Sequence, residues 1–253
     1  MRHVLALAKR ELISYALSPV GYVIACLSIF AYLALFFFFG FIRYTDANVV
    51  LDAGIGFVYF LAVFAIPFLT MGLLADERRS GTIEMLMTAP VGDWEVVLGK
   101  YLGSVIFILA LMAPSVTEVV VVKMYGLPEW GPVISGYIGL VLVVLFLVSL
   151  GLFLSSISKS PLVAVMLSFV TFLALLFVGG AVPDTPPAIE TTGNIFQNIL
   201  YYIYAFIRYA SLGEHLGNFG SGLINTRDLA YFGTGTVFFL FLSTLAVESR
   251  KWK

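Results

Sequence analysis

The densest group of polar side chains in this chain is the segment 77–90, ERRSGTIEMLMTAP, which separates two long apolar runs. Its residue types suit contact rather than catalysis. Asp76, Glu77, Arg78 and Arg79 form a compact group of charges that can make ion pairs. A loop that concentrates charge between apolar runs is typical of a site that contacts a soluble partner.

The pattern after these charges predicts a short helix over residues 82–89. Hydroxyl groups on either side of Gly81 can accept hydrogen bonds from the free N–H groups of a helix start. Glu84 then lies in the first turn, where the helix dipole favours an acid. The apolar stripe of this helix consists of Ile83, Leu86 and Met87. Such a stripe outside the membrane packs on lipid headgroups or on a protein, and the residues leave both possibilities open.

Other patterns that could carry chemistry are absent from the sequence. It contains no Walker-type phosphate loop, no Gly-x-Ser-x-Gly and no His-Glu-x-x-His motif. Cys26 is the single cysteine, and His3 and His215 lie far apart in sequence. We therefore expect no catalytic site and no metal site in this chain. The net charge of −1 provides no basic field for nucleic acid.

Glu118 is the one ionisable residue well inside an apolar run. Because Lys123 follows five residues later, we expect Glu118 to reach the membrane interface, and the alternative is a proton site. A proton- or sodium-coupled carrier usually places more ionisable groups within its spans. The sequence therefore favours an energy source outside this chain.

The elements that position these residues are membrane-spanning helices. Hydrophobic residues make up 60% of the chain and charged residues 11%. Six apolar runs approach or exceed the roughly 20 residues that cross a bilayer as a helix. The predicted spans are residues 20–42, 54–75, 97–122, 133–157, 162–182 and 229–247. We predict an all-α, polytopic membrane protein, with residues 1–253 forming a single domain.

The distribution of Lys and Arg predicts the orientation of the six spans. With the N-terminus inside, ten of the 14 basic residues lie on the inner side. Cytoplasmic loops carry this excess of basic residues. Both termini and the segment 77–90 are therefore predicted to be cytoplasmic.

Two further segments flank the spans. Residues 1–17 place Leu5, Ala8, Leu12 and Ala16 at helical spacing, with basic residues on other faces, which predicts an amphipathic surface helix. It either anchors the chain or contacts a cytoplasmic partner. Ser18-Pro19 ends this helix.

The long outer segment 183–228 contains a further apolar run, residues 195–209. As a helix this run reaches only about 22 Å, too short to cross the bilayer. It is either a re-entrant segment or a loop whose aromatic residues lie among the headgroups.

The segment 77–90 resembles the first cytoplasmic loop of permease subunits of type-2 ABC exporters. That loop carries the pattern Glu-(Arg/Lys)-x-x-Gly-Thr-x-Glu-x-Leu-x-x-x-Pro. The matching residues are Glu77, Arg78, Gly81, Thr82, Glu84, Leu86 and Pro90. The resemblance covers essentially the whole chain.

Within that family the sequence is most similar to gliding-motility-associated permeases. The residues that carry this similarity are Lys9-Arg10-Glu11-Leu12, Ser18-Pro19-Val20-Gly21-Tyr22, Gly99-Lys100-Tyr101-Leu102-Gly103-Ser104 and residues 222–232.

The resemblance implies a mechanism and a set of partners. Helix 82–89 would be a coupling helix seated on a separate ATPase subunit, which binds ATP and Mg, with Ile83, Leu86 and Met87 as its buried contact. A second permease, either an identical copy or a related chain, would complete the pathway, and an accessory chain with an extracytoplasmic domain could join it. The surface helix, with Lys9, Arg10 and Glu11, would lie beside the coupling helix. The outer gate would include Tyr201, Tyr202, Tyr204 and Phe206.

Family resemblance places this permease subunit in a bacterial cytoplasmic membrane. A first alternative is a membrane scaffold that uses an ATPase to act on an extracytoplasmic protein without translocating a substrate. The aromatic residues of the first two spans suit such mechanical work, or a lipid-like substrate, better than a wide aqueous channel. A second alternative is an ion-coupled carrier.

Overall fold

A computed structural model describes residues 2–41, 46–81, 92–178 and 195–249, and every regular element in these ranges is helical. The α-helices are α1 (Arg2–Leu17), α2 (Pro19–Leu35), α3 (Ala47–Thr70), α4 (Gly72–Arg79), α5 (Asp93–Met112), α6 (Val116–Tyr125), α7 (Trp130–Ile157), α8 (Pro161–Phe177), α9 (Ile195–Ala210), α10 (Leu212–Gly220) and α11 (Thr226–Glu248). The predicted all-α class is confirmed for this part of the chain.

Five helical stretches are long and apolar enough to cross a membrane. They are Pro19–Phe38, Ala47–Arg79, Asp93–Met124, Trp130–Ile157 and Thr226–Glu248. The predicted span 162–182 corresponds to α8, which has 17 residues, and the end of that span lies outside the described residues. Five of the six predicted spans therefore have a matching helix, and the sixth span stays a prediction.

The second and third spans are longer than predicted. The stretch Ala47–Arg79 has 33 residues and Asp93–Met124 has 32. Each is about 50 Å long, against a hydrocarbon core of about 30 Å. These spans therefore extend beyond the bilayer, and the charges of residues 76–79 lie on a helical extension rather than in an irregular loop.

Helix α7 lies at the centre of the molecule and its small residues admit its neighbours. A Cβ on Gly139 would lie 2.7 Å from the Tyr59 hydroxyl oxygen and 2.8 Å from Cγ of Phe219. The Tyr59 hydroxyl donates to the Gly136 carbonyl at 2.6 Å. Close backbone approach at small residues is the usual way in which membrane helices pack, because apolar side chains gain little by leaving lipid for protein.

A single serine of α7 stabilises the break between α3 and α4. Pro67 within α3 removes one helical N–H donor, and Met71 separates α3 from α4. The Ser155 hydroxyl donates to the Met71 carbonyl at 2.9 Å and accepts from the backbone N–H groups of Leu74 and Ala75 at 3.2 and 3.1 Å. The central helix therefore satisfies the backbone groups at this junction.

Helix α11 runs parallel to α7. The ring of Phe146 contacts Tyr231 and that of Phe153 contacts Phe239, with centroids 5.5 and 6.0 Å apart. The start of α7 is close to α10, because the Ser135 hydroxyl donates to the Phe219 carbonyl at 2.6 Å. The N-termini of α7 and α11 therefore lie at one end of the molecule. The C-termini of α4, α7 and α11 lie at the other end.

Candidate functional site: a charged cluster beside the loop 82–91

Lys100 is buried in the second turn of α5 between two carboxylates. Its Nζ lies 2.9 Å from Oε1 of Glu77 in α4 and 3.5 Å from Oε2 of Glu11 in α1. We call Glu11, Glu77 and Lys100 the charged cluster. It ties three helices together, and α4 and α5 are the two helices that flank the loop 82–91. Ion pairs of this kind are strongly coupled because little water screens them.

Two glycines of α5 allow α1 to approach closely enough for this pairing. A Cβ on Gly103 would lie 2.8 Å from the Ala8 carbonyl oxygen, and one on Gly99 would lie 3.2 Å from the Val4 carbonyl oxygen. The spacing Gly-x-x-x-Gly places both on one face of α5. Lys100, beside this face, therefore meets Glu11 of α1.

Tyr15 adds a second contact between α1 and the spans. Its hydroxyl donates to the Leu69 carbonyl at 2.7 Å and lies 3.4 Å from the Ser104 hydroxyl. Its ring stacks on Phe107, with centroids 5.1 Å apart. Burial, with a smaller contribution from the negative charge of Glu11, raises the pKa of Tyr15, so the hydroxyl remains a neutral donor.

Arg78 fastens the end of α4 to the end of α7. Its guanidinium donates to the carbonyls of Ile157 and Ser158 at 3.0 and 2.9 Å. The last carbonyls of a helix have no N–H partner further along it, and the dipole favours a cation at a helix C-terminus. Arg78 and Glu77 thus each bind a different neighbouring helix.

A cleft of about 340 Å³ opens beside the charged cluster. Its polar lining includes Arg10, Glu11, Tyr15, Asp76, Glu77 and Lys100. The surface helix, the end of α4 and the start of α5 therefore share one polar surface next to the predicted coupling loop.

The described part of Ser80-Gly81-Thr82 lies just past the end of α4, and the predicted helix start at Thr82 stays a prediction. Gly81 has a φ of 71° and lies two residues past Arg79, the last residue of α4, while the Ser80 N–H and hydroxyl both donate to the Asp76 carbonyl. A glycine in the left-handed region just past a helix end is a stop signal. Thr82, Ile83, Glu84, Leu86, Met87 and Pro90, and with them the predicted helix 82–89, lie outside the described residues.

The predicted N-terminal helix is present as α1, and Pro19 begins α2 as expected. Its predicted apolar face is only partly right. Ala8 is buried, whereas Leu5 is 66% exposed, because the packed face follows Val4, Ala8, Glu11 and Tyr15. Lys9 and Arg10 lie on the exposed side. Its position on a membrane surface stays a prediction.

The predicted outer gate residues lie on α9, which is a helix as expected. Tyr202 and Phe206 are each 72% exposed. Tyr201 contacts Tyr202 edge to face, and the Tyr204 hydroxyl accepts a hydrogen bond from Arg208 at 3.4 Å. The gate and the re-entrant path of this segment stay predictions.

The carboxyl group of Glu118 is enclosed by neighbouring helices, and its predicted position at the membrane interface stays a prediction. Glu118 is 2% exposed, and one of its carboxylate oxygens accepts a hydrogen bond from Tyr32 of α2. The carboxyl group packs against Gly54 of α3, where no Cβ could fit. Lys123 instead lies over the ring of Trp130, 5.4 Å from its centroid. The sequence lacks a signal for this site because its partners are on other helices.

These features define a multi-pass helical membrane protein whose charged cluster fastens a peripheral helix to two long spans. The sequence profile of the ABC-2 family transporter proteins matches residues 18–249. Because this match covers most of the chain, the protein belongs to the ABC-2 transporter family, the membrane-spanning permeases of ABC transporters.

Two curated relatives are similar to part of the chain. Each is described as "Probable multidrug ABC transporter permease YbhR", one from Escherichia coli (strain K12) and one from Escherichia coli O157:H7. Each is 25% identical over 122 residues, which are 48% of this chain and 33% of the relative. The matched region thus spans about a third of the length of these relatives.

Proposed function

We propose that this chain is the transmembrane permease subunit of an ATP-driven exporter in a bacterial inner membrane. The observation that carries the proposal is the charged cluster, which links both helices that flank the loop 82–91. Family membership implies a separate ATPase subunit as the partner. The chain itself would supply no catalytic group, and ATP and Mg would bind to that partner.

In the proposed coupling step, the ATPase holds the segment 82–89 through Ile83, Leu86 and Met87. Movement of this segment displaces α4, because only Ser80 and Gly81 separate the helix end at Arg79 from it. Glu77 then pulls Lys100 of α5, and Lys100 pulls Glu11 of α1. Arg78 passes the same movement to the end of α7. The rigid central helix would carry it to the opposite end.

The finer features of the proposal follow from the resemblance and the basic-residue distribution. The functional unit would contain two permease chains, identical or related, with both termini of this chain cytoplasmic. An accessory chain with an extracytoplasmic domain would join it, as in the gliding-motility-associated permeases. The name of the relatives, a probable multidrug permease, supports transport of small molecules, and the exposed aromatic residues of α2 and α9 favour apolar ones.

The test is ATPase activity of the complex purified from its native membrane and reconstituted in vesicles. We expect Leu86→Arg to lose the ATPase from the complex. Lys100→Met should retain the ATPase but lose most coupled activity, since the contact at 82–89 remains while its connection to α5 is broken. Lys159→Met, an exposed lysine between α7 and α8, is the control and should behave like the wild type.

The outcomes separate the proposal from its alternatives. A complex without any ATPase, from intact protein, would contradict the proposal. ATP hydrolysis that depends on Leu86 but moves no small molecule into vesicles would support the scaffold function instead. Full coupled activity in Lys100→Met would remove the charged cluster from the mechanism.

The buried Glu118 favours a second candidate function, ion-coupled transport. A carboxyl group enclosed by Tyr32 and Gly54 within a membrane helix is the kind of group that proton relays use. We expect Glu118→Gln to leave ATP-driven activity intact if the group is structural. Loss of transport in Glu118→Gln, with transport in the wild type driven by a pH gradient without ATP, would establish the ion-coupled candidate.

A further inference from the structure

At the end opposite the charged cluster, His215 of α10 is enclosed by α9 and α11. It is 4% exposed, and its partner Asp228 is 1% exposed. Nδ1 of His215 lies 2.6 Å from Oδ1 of Asp228, and Nε2 lies 2.9 Å from the Tyr209 carbonyl oxygen. Asn218 donates to the other Asp228 oxygen at 2.9 Å. We call His215, Asp228, Asn218 and Tyr209 the histidine cluster.

The partners of the two ring nitrogens determine where protons lie. A backbone carbonyl can only accept, so Nε2 carries a hydrogen. The 2.6 Å contact between Nδ1 and the carboxyl group requires a second proton between them. Asn218 donates to the other Asp228 oxygen, which leaves Oδ1 to accept from His215. Only an imidazolium with a hydrogen on each ring nitrogen donates to both the Asp228 and the Tyr209 oxygen.

The surroundings of the ring suit a cation. Tyr231 stacks on it with centroids 4.1 Å apart, and Tyr209 meets it edge to face at 5.4 Å. The face of an aromatic ring attracts positive charge. The Tyr231 hydroxyl also donates to the Ala210 carbonyl at 2.9 Å, which ties α11 to the end of α9.

The other charged groups that the structure describes near the ring have partners of their own or lie further away. Glu214, beside His215 on α10, pairs with Arg208 of α9. Arg227 of α11 lies over the Tyr209 ring, 4.8 Å from its centroid. From α3, Asp52 approaches Gly220 at the far end of α10. Helices α7 and α8 contain no Asp, Glu, Lys or Arg.

We propose that the histidine cluster is a proton-binding site that fastens α9 and α10 to α11. Loss of the proton leaves His215 with one hydrogen for two acceptors, so either the Tyr209 or the Asp228 contact must break. The contacts are therefore complete at low pH and are released as the pH rises. In the predicted topology this site faces the outside, so external pH would set how firmly residues 195–220 are held.

The first test uses the protein reconstituted in nanodiscs with ¹⁵N-labelled histidine. The chain has only two histidines, so His3→Gln leaves the signal of His215 alone. At about pH 6, the lower pH of the exchange experiment, we expect both ring nitrogens of His215 to carry a hydrogen. A spectrum with one bare ring nitrogen at that pH would overturn the proposal.

The second test is hydrogen–deuterium exchange of residues 199–220, corrected for the intrinsic pH dependence of exchange. Between about pH 6 and about pH 9 we expect protection in the wild type to fall about tenfold, as for loss of one charged hydrogen bond. His215→Gln should be weakly protected at both pH values, and His3→Gln should match the wild type. The same pH step in His215→Gln as in the wild type would contradict the proposal.

Asp228→Asn provides an independent check if His215→Gln does not fold. It retains the shape of the side chain but removes the negative charge, so His215 should become neutral in the NMR spectrum. A doubly protonated His215 in Asp228→Asn would show that the carboxylate does not hold the proton. These readouts do not use ATPase activity, so their failure is distinct from failure of the proposed exporter function.

Discussion

The charged cluster and the histidine cluster lie at opposite ends of the molecule and join helices by different chemistry. At one end Lys100 links two acids of α1 and α4 by ion pairs. At the other end an imidazole with two acceptors links α9, α10 and α11. In our proposal the second connection depends on a single proton, and the first contains no histidine.

The two connections can therefore be regulated in different ways. The charged cluster is next to the loop 82–91 and contains no histidine, which suits a permanent mechanical link. The histidine cluster holds the segment that carries the predicted outer gate, and it can open without any change at the other end. The strength of each connection can be tested separately by substitution.

The largest effect is expected for Lys100→Met, because it removes the cation that joins Glu11 to Glu77. Removal of one partner from a buried ion pair costs about 3–5 kcal/mol. We expect a loss of this size in the free energy of unfolding, measured by SDS titration in mixed micelles. Lys9→Met should change it by less than about 0.5 kcal/mol. Equal effects of the two substitutions would mean that the cluster contributes nothing.

A smaller loss is expected for Gly103→Val, which places a side chain against the Ala8 carbonyl oxygen, where even a Cβ would lie at 2.8 Å. Overpacking at such a contact costs about 1–3 kcal/mol. The same SDS titration measures this loss. Because the clash pushes α1 away from α5, amide exchange in α1 should also become faster in the variant.

The matched control for Gly103→Val is Gly56→Val in α3, because a Cβ on Gly56 would have no atom within 4 Å. It should unfold at the same SDS concentration as the wild type. If Gly56→Val is as damaging as Gly103→Val, the loss reflects helix propensity and not the packing of α1.

At the other end, Asn218→Ala removes the donor to Oδ2 of Asp228. A hydrogen bond to a charged group contributes about 1.5 kcal/mol or somewhat more. We expect that loss at about pH 6 and a smaller one at about pH 9, where the histidine contacts are already weakened. Ser221→Ala, whose hydroxyl donates to the carbonyl of Gly217 at the end of its own helix, is the control. A pH-independent loss would argue against a shared proton.

The smallest effect is expected for Arg227→Gln, which removes a cation from the face of Tyr209. Exposed interactions of this type contribute about 0.5–1 kcal/mol. Arg227→Lys should retain part of the contact. The free energy lost should be the same whether it is measured by SDS unfolding or by hydrogen exchange of α9. If Arg227→Gln loses more free energy than Asn218→Ala, the Arg227–Tyr209 contact is stronger than the Asn218–Asp228 hydrogen bond, contrary to this expectation.

Local patterns in the sequence predicted the helices well and their stops less well. Ser18-Pro19 marked the boundary between α1 and α2, because proline restricts the residue before it. The end of α4 at Arg79 was not predicted, because glycine and hydroxyl residues occur at both starts and stops of helices.

The charged side chains were predicted only as loop or topology residues. Lys100 entered the sequence analysis only as a basic residue and as part of a segment that carries the family similarity. Its position between Glu11 and Glu77 depends on how α1 lies against Gly99 and Gly103. Glu118 was placed at the interface, because nothing in its own helix indicates that Tyr32, 86 residues away, would bind it.

Sequence alone determined the membrane class, the helical elements and the loop that resembles a coupling site. These depend on apolar length, helical period and local motif, all of which are properties of neighbouring residues. Only the tertiary structure decided which charges meet. A buried pair such as Lys100–Glu77 or His215–Asp228 requires two helices in one particular register, and close packing at small residues sets that register.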